Sequence, residues 1–124
     1  MEAKATLRYV RMSPRKIRRV AALIRGKGYT DAMAILTFIP KAAGKVLLST
    51  MNSAAANAIS REGTAKIKVE RLFVKQVWVN GGPIMKRIRP VGMGRAYRIR
   101  KRTAHVSVVL AEKEVAVKSP DKEA

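Results

Sequence analysis

Between Asn80 and Thr103 the chain carries eight Lys or Arg residues and no acid. This segment reads Asn80-Gly-Gly-Pro-Ile-Met-Lys-Arg-Ile-Arg-Pro-Val-Gly-Met-Gly-Arg-Ala-Tyr-Arg-Ile-Arg-Lys-Arg-Thr103. Unpaired charges are too costly to bury, so any core must form elsewhere and leave this segment outside it. Apolar, β-type runs flank it, at 66–79 and 104–111. Pro90, Gly92 and Gly94 mark a bend in its middle. Folding about that bend predicts a hairpin with arms of about eleven residues, reaching some 30–40 Å at roughly 3.3 Å per residue. Arg98, Arg100 and Arg102 alternate with Tyr97, Ile99 and Lys101, so a strand here puts three guanidinium groups on one face. An isolated hairpin is marginal in water, and this one repels itself. It is therefore either a disordered arm that orders on a partner or a projection built to enter a polyanion. The flanking strands, which run naturally into it, favour the projection.

The rest of the charge supports a polyanionic partner. The 124 residues hold 27 Lys and Arg against 8 Asp and Glu, a net charge of +19. Residues 1–30 hold nine bases and one acid, and residues 71–111 hold ten bases and none. Residues 31–70, with five bases and three acids, are close to neutral. A solubilising surface would mix the signs, whereas two separate basic blocks suit nucleic acid. There is no Cys, which excludes a disulfide framework, a thiol nucleophile and a Cys-type zinc site. One His and scattered acids are a poor basis for a metal site or an acid/base pair. We therefore expect no catalytic residue, no metal, no cofactor and no small-molecule substrate. The longest apolar runs, such as Val20 to Ile24, are too short to span a membrane. Met1-Glu2-Ala3-Lys4 lacks a secretory pattern, which points to a soluble intracellular protein.

Residues 3–10 read as a strand. Ser13-Pro14 opens a helix, with Ser as the cap and Pro at the first helical position. Ile17, Val20, Ala21 and Ile24 follow i, i+3, i+4, i+7 and share one face. Arg15, Arg18, Arg19 and Arg25 take the other faces, where phosphate contact is favoured over simple solvation. Gly26 and Gly28 end the helix. Thr30 is the expected cap of a second helix running to about Ile39, with Asp31 placed well for the dipole. Pro40 restarts a third helix over roughly 41–60. Its Ser53-Ala-Ala-Ala-Asn-Ala58 block is small enough for tight packing against a sheet or helix, and Asn57 reads as a satisfied helix-end hydrogen bonder. The mixed parity of Ile67, Val69, Leu72, Phe73, Val74, Val77 and Val79 predicts a twisted or bulged strand over 66–79. Trp78 belongs to the core or its rim, with stacking on a base as the alternative. Residues 104–111 form the return strand, where His105 reads as a packed or hydrogen-bonded residue.

Three blocks in this order resemble the bacterial large-subunit ribosomal protein family L twenty-two. They are Ser13-Pro-Arg-Lys-Ile-Arg-Arg-Val20 with Leu23-Ile-Arg-Gly-Lys27, then Ser53-Ala-Ala-Ala-Asn-Ala58, then a third. The third comprises Gly82-Pro83, Met85-Lys-Arg-Ile88, Pro90, Gly94-Arg-Ala96, Arg98-Ile99 and Lys101-Arg-Thr103 with His105. The resemblance spans about residues 3–112. It implies an α+β fold: a three-stranded antiparallel sheet with three helices packed on one side and a long protruding β-hairpin at about 80–104. Residues 1–112 would form a single domain that binds ribosomal RNA, and 113–124 a mobile tail.

The resemblance further implies a non-catalytic cytoplasmic protein of the large ribosomal subunit that supports subunit assembly. Its partners would be large-subunit ribosomal RNA, neighbouring ribosomal proteins and the nascent polypeptide in the exit tunnel. Carried over by motif and basic face, the RNA-binding set is Arg11, Ser13, Arg15, Lys16, Arg18, Arg19, Arg25, Lys27, Lys86, Arg87, Arg89, Arg95, Arg98, Arg100, Lys101, Arg102, Thr103 and His105. The tunnel-lining tip is Met85, Lys86, Arg87, Ile88, Arg89, Pro90, Val91, Gly92, Met93 and Gly94. Departures from the family pattern fall at Asn52, Asn80, Gly81, Val91, Gly92 and Ala104, and none removes an RNA-contacting motif. A basic β-ribbon that binds DNA, of nucleoid type, is the alternative on charge alone. A nuclease would need clustered acids to hold a metal, and the basic blocks have almost none.

Overall fold

The computed structural model describes residues 2–62 and 69–112. The tail expected to be mobile at 113–124 and the strand expected over 66–68 lie outside them. The strand β1 (Glu2–Val10) leads into the helices α1 (Pro14–Ile24), α2 (Tyr29–Phe38) and α3 (Ala42–Glu62). A 3₁₀ turn at Val69–Arg71 precedes β2 (Leu72–Gly81), β3 (Met85–Val91), β4 (Arg95–Lys101) and β5 (Ala104–Glu112). The main sheet is antiparallel with order β1-β5-β2, and β3 and β4 form a separate two-stranded sheet.

The helical period of α1 is realised as read: Ile17, Val20, Ala21 and Ile24 are its buried residues. Gly26, at φ +81°, supplies the left-handed residue that ends it. Ser13 stands at the cap position, but its side chain makes no capping bond; its carbonyl accepts from the Lys16 amide at 3.1 Å. The expected cap of α2 at Thr30 is corrected to Gly28, two residues earlier. The cause is tertiary. Gly26 N–H donates to the Val74 carbonyl at 2.9 Å, Val74 N–H donates to the Lys27 carbonyl at 2.8 Å, and Gly28 bridges to Phe73. The loop is thereby laid along β2, and the helix starts where that pairing ends.

In α3, Ala43, Leu47, Met51, Ala54 and Ala58 are buried and recur at helical spacing. The helix packs on β1 and β5, where the alanines permit close approach. Asn57, well inside α3 rather than at its end, donates from Nδ2 to the Lys4 carbonyl of β1 at 2.9 Å.

The parity switch in β2 is a bulge between Val74 and Gln76. Leu72 and Val74 before it, and Val77 and Val79 after it, therefore all face the core. The expectation of strand at 69–71 is corrected: this stretch is the 3₁₀ turn.

The helices cover one face of the sheet, and side-chain straps reach across the other. There the Lys4 ammonium lies 5.2 Å from the Trp78 ring centroid, and Lys75 pairs with Glu2. Both straps run from β1 to β2 over the central β5, and Ser107, Val109 and Ala111 are buried between those edge strands. Trp78 is half-buried at this rim.

Tyr29 links α2 to α3. It is 6% exposed, and its hydroxyl donates to Asn52 Oδ1 at 2.6 Å. Burial raises its pKa above the ordinary phenol value. A group whose pKa is raised by folding contributes stability that is complete below its unfolded pKa and is lost as pH climbs through the folded value. As pH rises above the ordinary phenol value of about 10, wild type should thus lose stability faster than Tyr29→Phe. Parallel chemical-denaturation curves of the two proteins over that range check this; parallel losses would show that Tyr29 does not drive the alkaline transition.

Candidate nucleic-acid interface

The hairpin's register assigns its faces. Met85 pairs with Lys101, Lys86 with Arg100, Arg87 with Ile99, Ile88 with Arg98, Arg89 with Tyr97, Pro90 with Ala96 and Val91 with Arg95. Opposed residues share a face. One face therefore carries Lys86, Arg98 and Arg100 beside Ile88, and the other carries Arg87, Arg89, Arg95 and Lys101 beside Tyr97 and Ile99. Lys86 directly opposes Arg100, a like-charge pair that weakens the free ribbon. The hairpin makes no substantial packing with any helix or with the main sheet.

Four expectations about this segment are corrected. The arms have seven residues each rather than about eleven, a reach of about 23 Å. The flanking strands do not run through into it: the main-sheet register ends at the Gly81–Ala104 pair, one further bond joins Gly82 N–H to the Thr103 carbonyl, and Pro83 then has no N–H to continue the ladder. Arg102 lies past the end of β4 and so does not share the Arg98–Arg100 ladder face. The ten residues read as a tip occupy the whole of β3 and the turn. Met85 lies at the root, and only Gly92, Met93 and Gly94 make the turn. At that turn Met93 has φ +64° and is 99% exposed.

The root is held by bonds between its own two strands. Gly82 N–H donates to the Thr103 carbonyl at 2.9 Å, and Thr103 Oγ1 donates to the Pro83 carbonyl at 2.6 Å. A Cβ on Gly82 would lie 2.5 Å from Thr103 Oγ1 and 3.2 Å from His105 Nε2, so only glycine fits there. Thr103 is buried, and its hydroxyl is committed to this clamp. His105 Nδ1 accepts the Tyr9 amide at 3.0 Å, and the two rings meet edge to face at 4.8 Å. Both residues thus fill structural positions, as the strand reading of His105 expected.

The Lys and Arg residues expected to bind RNA are all exposed, and among the described residues Lys75–Glu2 is the one ion pair. Arg15, Lys16, Arg18 and Arg19 line a shallow hollow with Ser13 on α1. Two members of the α1 set have a further task. Arg18 donates from Nε and Nη2 to the Val79 carbonyl at 3.0 and 2.7 Å, and Arg25 donates from Nη2 to the Val77 carbonyl at 2.7 Å. They close the outer edge of β2. Each guanidinium has five N–H donors, so both retain donors for a second partner. Charge pattern alone misses this, because backbone carbonyls leave no mark in the sequence.

The two basic blocks, distant in sequence, meet in space. Arg11, Met12 and Ser13 face Arg100, Lys101 and Arg102 across a groove of about 670 Å³. Among the described residues, no group of His, Cys, Asp or Glu is placed to hold a metal ion, and no helix is long and apolar enough to cross a membrane.

Comparison with known proteins agrees with the resemblance. Residues 5–111 match the family described as Ribosomal protein L22p/L17e. The large ribosomal subunit protein uL22 of Desulfitobacterium hafniense (strain DSM 10664 / DCB-2) is 51% identical over 113 residues, covering 91% of this chain and 96% of the relative. That of Geobacter sulfurreducens is 49% identical over 114 residues, covering 92% of this chain and all of the relative. That of Clostridioides difficile is 46% identical, with the same coverage.

Proposed function

This chain belongs to the ribosomal protein L22p/L17e family, and on that premise we propose that it is a structural constituent of the cytoplasmic large ribosomal subunit that works by binding ribosomal RNA. Its work is non-catalytic. The observation that carries the RNA reading is the pair of exposed cationic surfaces, on α1 and on the hairpin, which converge without acidic partners among the described residues. Lys and Arg displace counterions from closely spaced phosphates, and Arg also binds bidentately or stacks on bases. The ligand supplies the negative charge that the hairpin lacks. Recognition is of RNA shape from several helices at once.

The globular part, residues 1–112 without the hairpin, anchors the protein beside neighbouring ribosomal proteins and supports subunit assembly. The hairpin passes between RNA segments to line the nascent-chain tunnel. The turn with Met93 is the part that reaches deepest, and Ile88 and Tyr97 offer exposed apolar surface along the way.

The deciding experiment compares affinity for folded large-subunit rRNA with affinity for duplex DNA at physiological salt. A preference for the rRNA of at least about a hundredfold, within the usual range separating specific from non-specific sites, is expected. Equal affinities would return the chain to the class of general basic ribbons.

A further inference from the structure

The groove at the hairpin root has cations on both walls. Arg11 stands on one side, and Arg100, Lys101 and Arg102 on the other. The first wall belongs to the link between β1 and α1, and the second to the end of β4 and the residue after it. No acid lines the groove, and none of its four cations is ion-paired among the described residues. The Ser13 hydroxyl on the first wall makes no capping bond.

The mechanical setting makes this arrangement consequential. The hydrogen bonds at the root, Gly82 to Thr103 and Thr103 to Pro83, tie together the two links that join the hairpin to β2 and β5. They do not tie the hairpin to the helical layer. Between the Gly82–Thr103 bond and the Met85–Lys101 pair the ladder is interrupted, so no continuous sheet sets the hairpin's direction. Like charges across the groove push its walls apart when it is empty. An anion with more than one negative oxygen reverses the sign, because it attracts both walls at once.

We propose that the groove lined by Arg11, Ser13, Arg100, Lys101 and Arg102 takes adjacent phosphates of an RNA backbone, and that filling it fixes the angle between the hairpin and the main domain. This rests on the rRNA-binding reading and adds to it an order of events. The root binds first, the hairpin acquires its direction, and the ribbon then follows the RNA. The recognised chemistry is a pair of linked phosphates, with no demand on base identity.

The native chain has no Cys, so two can be introduced for spin labels without background. Met93→Cys at the turn and Thr37→Cys on α2 place one label on each body. Interspin distances are measured on the full chain at constant ionic strength, with inorganic pyrophosphate or an eight-nucleotide single-stranded RNA added in separate arms. The expected result is a broad distribution that narrows with both probes and does not narrow with sodium chloride of equal ionic strength. In the Arg11→Gln/Arg100→Gln/Arg102→Gln background the narrowing should need at least about a hundredfold more probe, since each lost charge-assisted contact is worth roughly tenfold. A distribution that is already narrow without ligand, one that neither probe changes, or narrowing that survives the triple substitution overturns the proposal. Narrowing with RNA but not pyrophosphate overturns the claim that linked phosphates suffice. Binding of large-subunit rRNA is measured on the same samples. Tight rRNA binding with an unmoved distribution rejects the hinge alone, whereas absent rRNA binding rejects the reading beneath it.

Discussion

Converting Lys86, Arg98 and Arg100 together to Gln should weaken binding to large-subunit rRNA by about a thousandfold and reduce the salt slope by about 2 to 3. The three share one face of the ribbon by register, all are exposed, and none is ion-paired among the described residues. Each cation that neutralises a phosphate contributes about 0.7 to 0.9 to the slope of log K against log salt, so three lost contacts set that range. A contribution of about 1.4 kcal/mol each gives the thousandfold loss. The free protein should respond in the opposite direction. Lys86 faces Arg100 directly across the ladder, so neutralising both relieves like-charge opposition and steadies the unbound hairpin. Amide exchange in β3 and β4 should slow while RNA binding falls, and that combination excludes unfolding as the cause. An unchanged salt slope would mean that this face is solvated in the complex and that the Arg87, Arg89, Arg95 and Lys101 face makes the contacts.

Much of this surface is legible in the amino-acid sequence alone. An acid-free run of cations flanked by apolar strands has few ways to fold, and the bend residues place its turn to within a residue or two. The apolar spacing of Ile17, Val20, Ala21 and Ile24 maps directly onto the buried stripe of α1. The parity switch in β2 is the imprint of a bulge, since inserting one residue exchanges the faces. These features are local, and local features are encoded by spacing.

The parts that escape are tertiary. The true cap of α2 depends on Gly28 pairing with Phe73, a partner far along the chain. Arg18 and Arg25 resemble their neighbours Arg15 and Arg19 in type and spacing, yet only the first two reach the carbonyls of β2. The break between the two sheets does carry a signal, Pro83, but the continuity of the flanking apolar runs outweighs it. Thr103 and His105 sit in the motif block that resembles the ribosomal family, and the block does not distinguish a residue that touches RNA from one that holds the hairpin root. Their bonds to Pro83 and Tyr9 give both residues a place in the hairpin root, which spacing alone does not show.

Leu47→Ala should cost about 2 to 5 kcal/mol of folding stability, as full truncation of a buried leucine usually does. Leu47 is completely buried on the inner stripe of α3, in a core whose α3 and α1 faces include Ala21, Ala43, Ala54, Ala55 and Ala58. With so many small residues, the volume of this core rests on a few large ones, among them Ile17, Ile24, Leu47, Met51, Leu72 and Leu110. The alanines already let the backbones approach closely, so the walls have little room to collapse into a new void, which favours the upper part of that range. Domains of this size have a total stability of roughly 5 to 15 kcal/mol, so the free protein should melt about 10 to 20 °C lower. Ile88→Ala, on the exposed hairpin, should leave the melting temperature nearly unchanged, within about 0.5 kcal/mol. Thermal and urea denaturation of the three proteins in the absence of RNA measures the contrast. Saturating rRNA should restore much of the loss in Leu47→Ala, because a ligand that binds only the folded chain stabilises it by mass action. A Leu47→Ala cost near that of Ile88→Ala would contradict a core centred on α3. The pair of results separates the two halves of the molecule: a small alanine-rich core that carries the folding stability, and a cationic ribbon that carries little of it.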